Sequence, residues 1–129
     1  MAQLFSLGDI TRMEILDVES RLKFTFPARH RQALLDSSDP IHEACAFLTL
    51  SDIVSQNDWI HGSEFGEPWP DFLIAFASNQ CGDYFAYDTR QHPASIIYID
   101  PDKTVAENLE TPDKLCHDTF EHWYESYVA

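Results

Sequence analysis

The stretch Leu73 to Asp88, LIAFASNQCGDYFAYD, constrains the fold more than any other. Two apolar runs, Leu73 to Ala77 and Tyr84 to Tyr87, flank Ser78-Asn79-Gln80-Cys81-Gly82-Asp83, whose residues favour turns and positive φ. The pattern predicts a β-hairpin. Both alternating sets of its first strand are apolar, with Leu73, Ala75 and Ala77 on one face and Ile74 and Phe76 on the other. Such a strand is central and covered on both sides, and helices from elsewhere in the chain must supply at least one of the covers.

The rest of the sequence offers those helices. Thr11-x-x-Glu14 has capping-box spacing, and Ile10, Met13, Leu16 and Leu22 leave an apolar stripe, predicting a helix from about Asp9 to Leu22. Phe26-Pro27 opens a second helix through Arg31, Ala33, Leu34 and Leu35, which Ser37-Ser38-Asp39-Pro40 ends. Ala44 to Leu50 reads as a first strand closed by Ser51-Asp52, and Ile53-Val54 as a brief helical turn. Ser55 to Asp71 reads as a long irregular region, a kind of segment that often carries function. Ile96 to Ile99 forms another strand, stopped by Asp100-Pro101-Asp102, and Lys103 to Asp113 holds at most a short helical turn. Asp118-x-x-Glu121 caps a last helix whose Phe120, Trp123, Tyr124 and Tyr127 fall on one face. With 129 residues and no internal boundary, the expectation is one α+β domain over 1–129. It would hold a twisted, mainly antiparallel sheet with an N-terminal helix pair and a C-terminal helix packed on it.

In this order the landmarks resemble the SUKH superfamily, which includes fungal cell-wall regulators and many bacterial toxin-immunity proteins. They are Glu19 and Leu22, Phe26-Pro27 in place of the family's Leu-Pro, Leu34-Leu35, Phe72 to Ala77, Gly82 to Asp88, and Thr119-Phe120-Glu121-His122-Trp123. Two places depart from the family pattern. Asp36-Ser37-Ser38-Asp39-Pro40 stands where an Asn-Gly is frequent, and Gln80-Cys81 occupies the hairpin link. The resemblance implies an α+β fold and function by protein binding, with no catalytic residues.

Charge narrows the partner. Twenty-two acidic residues against eight basic give a net charge of −14, which repels nucleic acid and anionic membranes. A basic macromolecule is attracted, although the same charge also serves plain solubility. The N-terminal segment lacks the pattern of a signal peptide, so a cytoplasmic protein is expected. Cys45, Cys81 and Cys116 are few and widely spaced, which predicts reduced thiols. His117 and His122 do not share a helical face, and His42, Cys45 and His61 meet only if folding brings them together, so no metal and no cofactor is expected. Gly82-Asp83 serves the turn.

Partner-binding candidates are Asp58, Trp59, Glu64, Phe65, Glu67, Trp69 and Asp71, which mix aromatic anchors with steering charge. The competing reading lays Trp59, Phe65 and Trp69 over the sheet edge as a lid. The leading functional expectation is a non-enzymatic immunity protein that binds a cognate toxin, a basic nuclease, stoichiometrically. The alternatives are a regulatory scaffold with a cellular partner and, from another class, a small hydrolase using Cys81 and His92.

Overall fold

The computed structural model describes residues 7–44, 46–62, 69–78, 83–110 and 116–128. Helices α1 (Leu7–Leu22), α2 (Ala28–Leu35) and α3 (Ile41–Ala44) precede strand β1 (Ala46–Phe47) and helix α4 (Leu50–His61). Strands β2 (Leu73–Ser78), β3 (Tyr84–Asp88) and β4 (Ser95–Ile99) follow, then α5 (Val105–Glu110) and α6 (Phe120–Val128). The strands pair antiparallel in the order β1-β2-β3-β4, an α+β meander.

The hairpin prediction holds: Leu73 pairs with Asp88 and Ser78 with Tyr84. Leu73 to Ala77 are all buried, as a doubly covered strand requires. Its faces differ from simple alternation. The register shifts between Ala75 and Ala77, so Ala77 joins Ile74 and Phe76 on one face while Leu73 and Ala75 occupy the other.

The first face carries the larger core. Phe76, Phe85 and Tyr87 of the sheet meet Phe26 and Ala33, Phe47, and Phe120 and Trp123. Trp123 stands edge-on to Phe76 at 4.9 Å and to Phe85 at 5.4 Å, so the predicted aromatic face of α6 becomes the centre of this layer. The cap of α6 is Thr119, whose hydroxyl accepts the His122 amide at 3.2 Å. Asp118 instead hydrogen-bonds the His122 ring, correcting the expected Asp118 cap.

Other expectations shift for local reasons. Helix α1 starts at Leu7, which places Thr11 inside it rather than at its cap. Its inward face is Ile15, Val18 and Leu22, and Met13 and Leu16 point outward at 55% and 59% exposure. Buried Glu19 helps set that rotation: its carboxylate accepts the Phe26 amide at 2.6 Å and pairs with Arg31 at 2.6 Å, clamping α1 to the start of α2. Pro27 stands at the N-cap of α2, as its fixed φ allows.

The predicted strand 44–50 shrinks to Ala46–Phe47. On its near side Asp39 Oδ1 accepts the Ile41 amide and starts α3. On its far side Thr49 caps α4 by accepting the Asp52 amide at 3.3 Å, so Ser51-Asp52 begins a helix rather than closing a strand. Helix α4 then takes up Ser55 to His61, the first part of the region expected to be irregular. A second overlooked cap starts α5, where Thr104 and Glu107 exchange side-chain and amide bonds at 3.1 Å each.

Candidate functional site

Asparagine side chains take up backbone groups at two margins of the sheet. β1 covers only the end of β2, leaving the Ala75 N–H and C=O facing α4. Asn57 fills that place: its Oδ1 accepts the Ala75 amide and its Nδ2 donates to the Ala75 carbonyl, both at 2.9 Å. One turn later, His61 Nε2 lies 2.8 Å from the Leu73 carbonyl oxygen. Just beyond β4, Asn108 does the same for Asp100, with its Oδ1 accepting the amide at 2.9 Å and its Nδ2 reaching the carbonyl at 3.1 Å. Ile96 exchanges two backbone bonds with His117, and the Tyr98 amide donates to Cys116 Sγ at 3.3 Å. A partner strand therefore finds the Ala75, Ile96 and Asp100 groups already engaged, which disfavours recognition by strand addition there.

Buried ionisable groups are absorbed by the architecture. His30 is fully enclosed, stacked on Phe120 at 4.8 Å, and shares a 2.6 Å hydrogen bond between Nδ1 and the Tyr87 hydroxyl. Burial holds its pKa down at about 3, so the ring is neutral at ordinary pH. Burial likewise pushes the Tyr87 hydroxyl well above the usual tyrosine range. Asp39 receives Arg29 at 2.7 Å and the Tyr124 hydroxyl at 2.7 Å, tying α2 to α6. Burial pushes its carboxyl up, and the bonds from Tyr124, the Ile41 amide and Arg29 outweigh that and hold it below the ordinary range. In Asp88 the Arg90 guanidinium and amide do the same at 2.9 and 3.0 Å. Buried Asp83 accepts from the Tyr98 hydroxyl, a structural role across the β3–β4 pair.

The described partner-binding candidates stand at three places in the fold. Asp58 and Trp59 lie on the outer side of α4, with Trp59 46% exposed and Asp58 4.0 Å from Arg21. Trp69 is only 4% exposed and stands edge-to-face on Tyr84 at 5.7 Å, in the smaller core beneath the second sheet face. Asp71 is exposed just before β2. Glu64, Phe65 and Glu67 lie outside the described residues. Cys45 and Cys81 do too, so the Cys81–His92 pairing falls outside the description, and His92 itself is exposed between β3 and β4. Cys116 is a free thiol. His42 Nε2 faces the Ala33 and Asp36 carbonyls, and His61 faces those of Trp69 and Leu73, so both rings tie backbone segments together. No described helix is long and apolar enough to cross a membrane.

Charge is segregated along the chain. Five of the eight basic residues fall between Arg12 and Arg31, whereas eighteen of the twenty-two acidic residues lie beyond Arg31, so the negative field comes from the later elements. Nothing in hydropathy marks Asn57 or Asn108 as edge residues. Their only signal is a polar residue recurring on the inward side of a helix, Ile53-x-x-x-Asn57 and Val105-x-x-Asn108.

These features define an α+β domain in which α1, α2, α3, α6 and the start of α4 cover one face of an antiparallel meander and asparagines engage backbone groups at its margins. The chain belongs to the SMI1 / KNR4 family (SUKH-1), whose model matches residues 9–126. Membership supports a protein-binding role, in toxin immunity or in regulation, and members are generally non-catalytic. No curated protein and no solved structure matches this chain.

Proposed function

We propose that this protein neutralises a cognate toxin, a basic nuclease, by occupying it stoichiometrically in the cytoplasm without altering it chemically. The observation that carries this reading is the excess negative charge on the elements after Arg31, in a family whose members bind proteins. A nuclease presents a cationic substrate face, and opposed fields of this kind accelerate encounter. Exposed Trp59, beside Asp58 and near Asp71 in sequence, supplies a large ring that slows release once desolvated. Glu64, Phe65 and Glu67 are proposed as further contacts on their residue types alone. Trp69, interior in the fold, would act by supporting it.

The test is affinity capture from the native source followed by native mass measurement. A single basic protein held at one-to-one stoichiometry supports immunity, and co-expression should then rescue growth from that protein. Membership equally covers a regulatory role, so capture of a cellular protein without toxicity would select the scaffold. Turnover of the captured protein on mixing would overturn both.

A further inference from the structure

The two sheet faces are unequally covered. The first carries α1, α2, α3 and α6, with Ile53 of α4. Over the second, the described cover comes from Trp69, Ile60 at the end of α4, and the six-residue α5 through Val105 and Leu109. Between Trp69 and the β4–α5 connection runs a groove of about 430 Å³. Trp69, Tyr84, Ile99 and Val105 line it with apolar surface.

Its rim is acidic and held in place. Asp100, Asp102 and Glu107 border the groove, with Lys103 as the one base among the lining residues. Asn108 fixes the Asp100 backbone, Asp100 Oδ1 accepts the Asp102 amide at 2.9 Å, and Glu107 is set by its exchange with Thr104. Elsewhere three buried carboxylates are matched by arginines, Glu19 by Arg31, Asp39 by Arg29 and Asp88 by Arg90. Among the described residues, no ion pair reaches Asp100, Asp102 or Glu107. The Asp100 and Glu107 carboxylates are thus held in place but not neutralised, and exposed Asp102 adds charge beside them, an arrangement that favours an incoming cation.

We propose that this groove docks a cationic segment of the partner protein, with an arginine or lysine against the Asp100, Asp102 and Glu107 rim and an apolar neighbour on the Trp69–Tyr84 floor. Arginine fits best, since its flat guanidinium can lie on the partly exposed Tyr84 ring while its N–H groups meet the rim carboxylates. Nucleic acid and anionic peptides are repelled by the same rim. This deepens the protein-binding reading and rests on it, by naming a face separate from the outward side of α4.

The probe is a short peptide of alternating arginine and leucine, titrated into isotopically labelled full-length protein at low salt and followed by amide shifts. The expected shifts concentrate on residues 99–107 and the Trp69 indole. Neutralising the rim with Asp102→Asn and Glu107→Gln, the latter keeping an acceptor for the Thr104 amide, should weaken the peptide roughly tenfold. The same loss of charge on α6, Glu121→Gln with Glu125→Gln, should change it by less than about twofold. Equal weakening by both pairs, shifts centred on another face, or no binding overturns the groove. Each of those results leaves the capture experiment free to succeed, so the two readings fail separately.

Discussion

Replacing Asn57 by alanine should be among the most damaging single changes to a polar side chain in this protein. The substitution leaves the Ala75 N–H and C=O facing α4 without their 2.9 Å partners, in a residue that is itself fully buried. Each buried backbone group left unmade costs about 1–3 kcal/mol. The lost Nδ2 contact to the Ile53 carbonyl adds little if that oxygen keeps its helical bond, and alanine returns roughly 0.5 kcal/mol of helix propensity. The expected net loss is about 1.5–5.5 kcal/mol, with a fall in Tm of roughly 10 °C or more toward the middle of that range for a domain of this size. Urea unfolding with an unchanged slope measures the loss, and hydrogen exchange at the Ala75 amide locates it. Ser55→Ala, exposed on the same helix, should stay within about 0.5 kcal/mol of the parent. A loss below about 0.5 kcal/mol for Asn57→Ala, with the Ala75 amide still protected, would refute the edge-sealing role.

Asn108→Ala should cost about 1–3 kcal/mol by freeing the Asp100 backbone groups, and it should speed amide exchange at Asp100 without affecting Ala75. His30 imposes a pH dependence of definite sign. Its folded pKa of about 3 lies below the ordinary 6.5, so the unfolded chain takes up a proton through pH 6.5 while the native state resists until near 3. The His30 contribution is complete above 6.5 and falls by about 1.4 kcal/mol per pH unit through that window. His30→Phe should therefore flatten the stability profile between pH 6 and pH 4 relative to the parent, as read from urea midpoints; parallel profiles would contradict it.

Much of the fold could be read because its signals were redundant. In β2 and β3 the apolar runs, the turn residues between them and the covered faces all agreed, and in α6 the aromatic spacing matched the helical period. The sequence misled where one residue served a tertiary partner. Glu19 helps turn α1 so that Ile15 and Val18, not Met13 and Leu16, face the core. Thr49 and Thr104 are helix caps whose side chains compete well with strand or loop, and both look like ordinary polar residues in a hydropathy profile. Asn57 and Asn108 are harder still, because each contact spans elements whose juxtaposition exists only after folding. Composition in 55–71, aromatic rings among carboxylates, offered candidates for a surface but not their placement. Trp59 lies on the outside of a helix and Trp69 beneath the second sheet face, a division that periodicity in the region could not resolve.

If an acidic surface recruits a basic protein partner without reacting with it, association kinetics with the captured partner must respond to ionic strength. The expected complex is one-to-one, its association rate falling roughly tenfold or more from about 50 to about 300 mM salt, with dissociation little changed and both chains recovered at their original masses. An association rate indifferent to salt, or a partner recovered chemically altered, would contradict it.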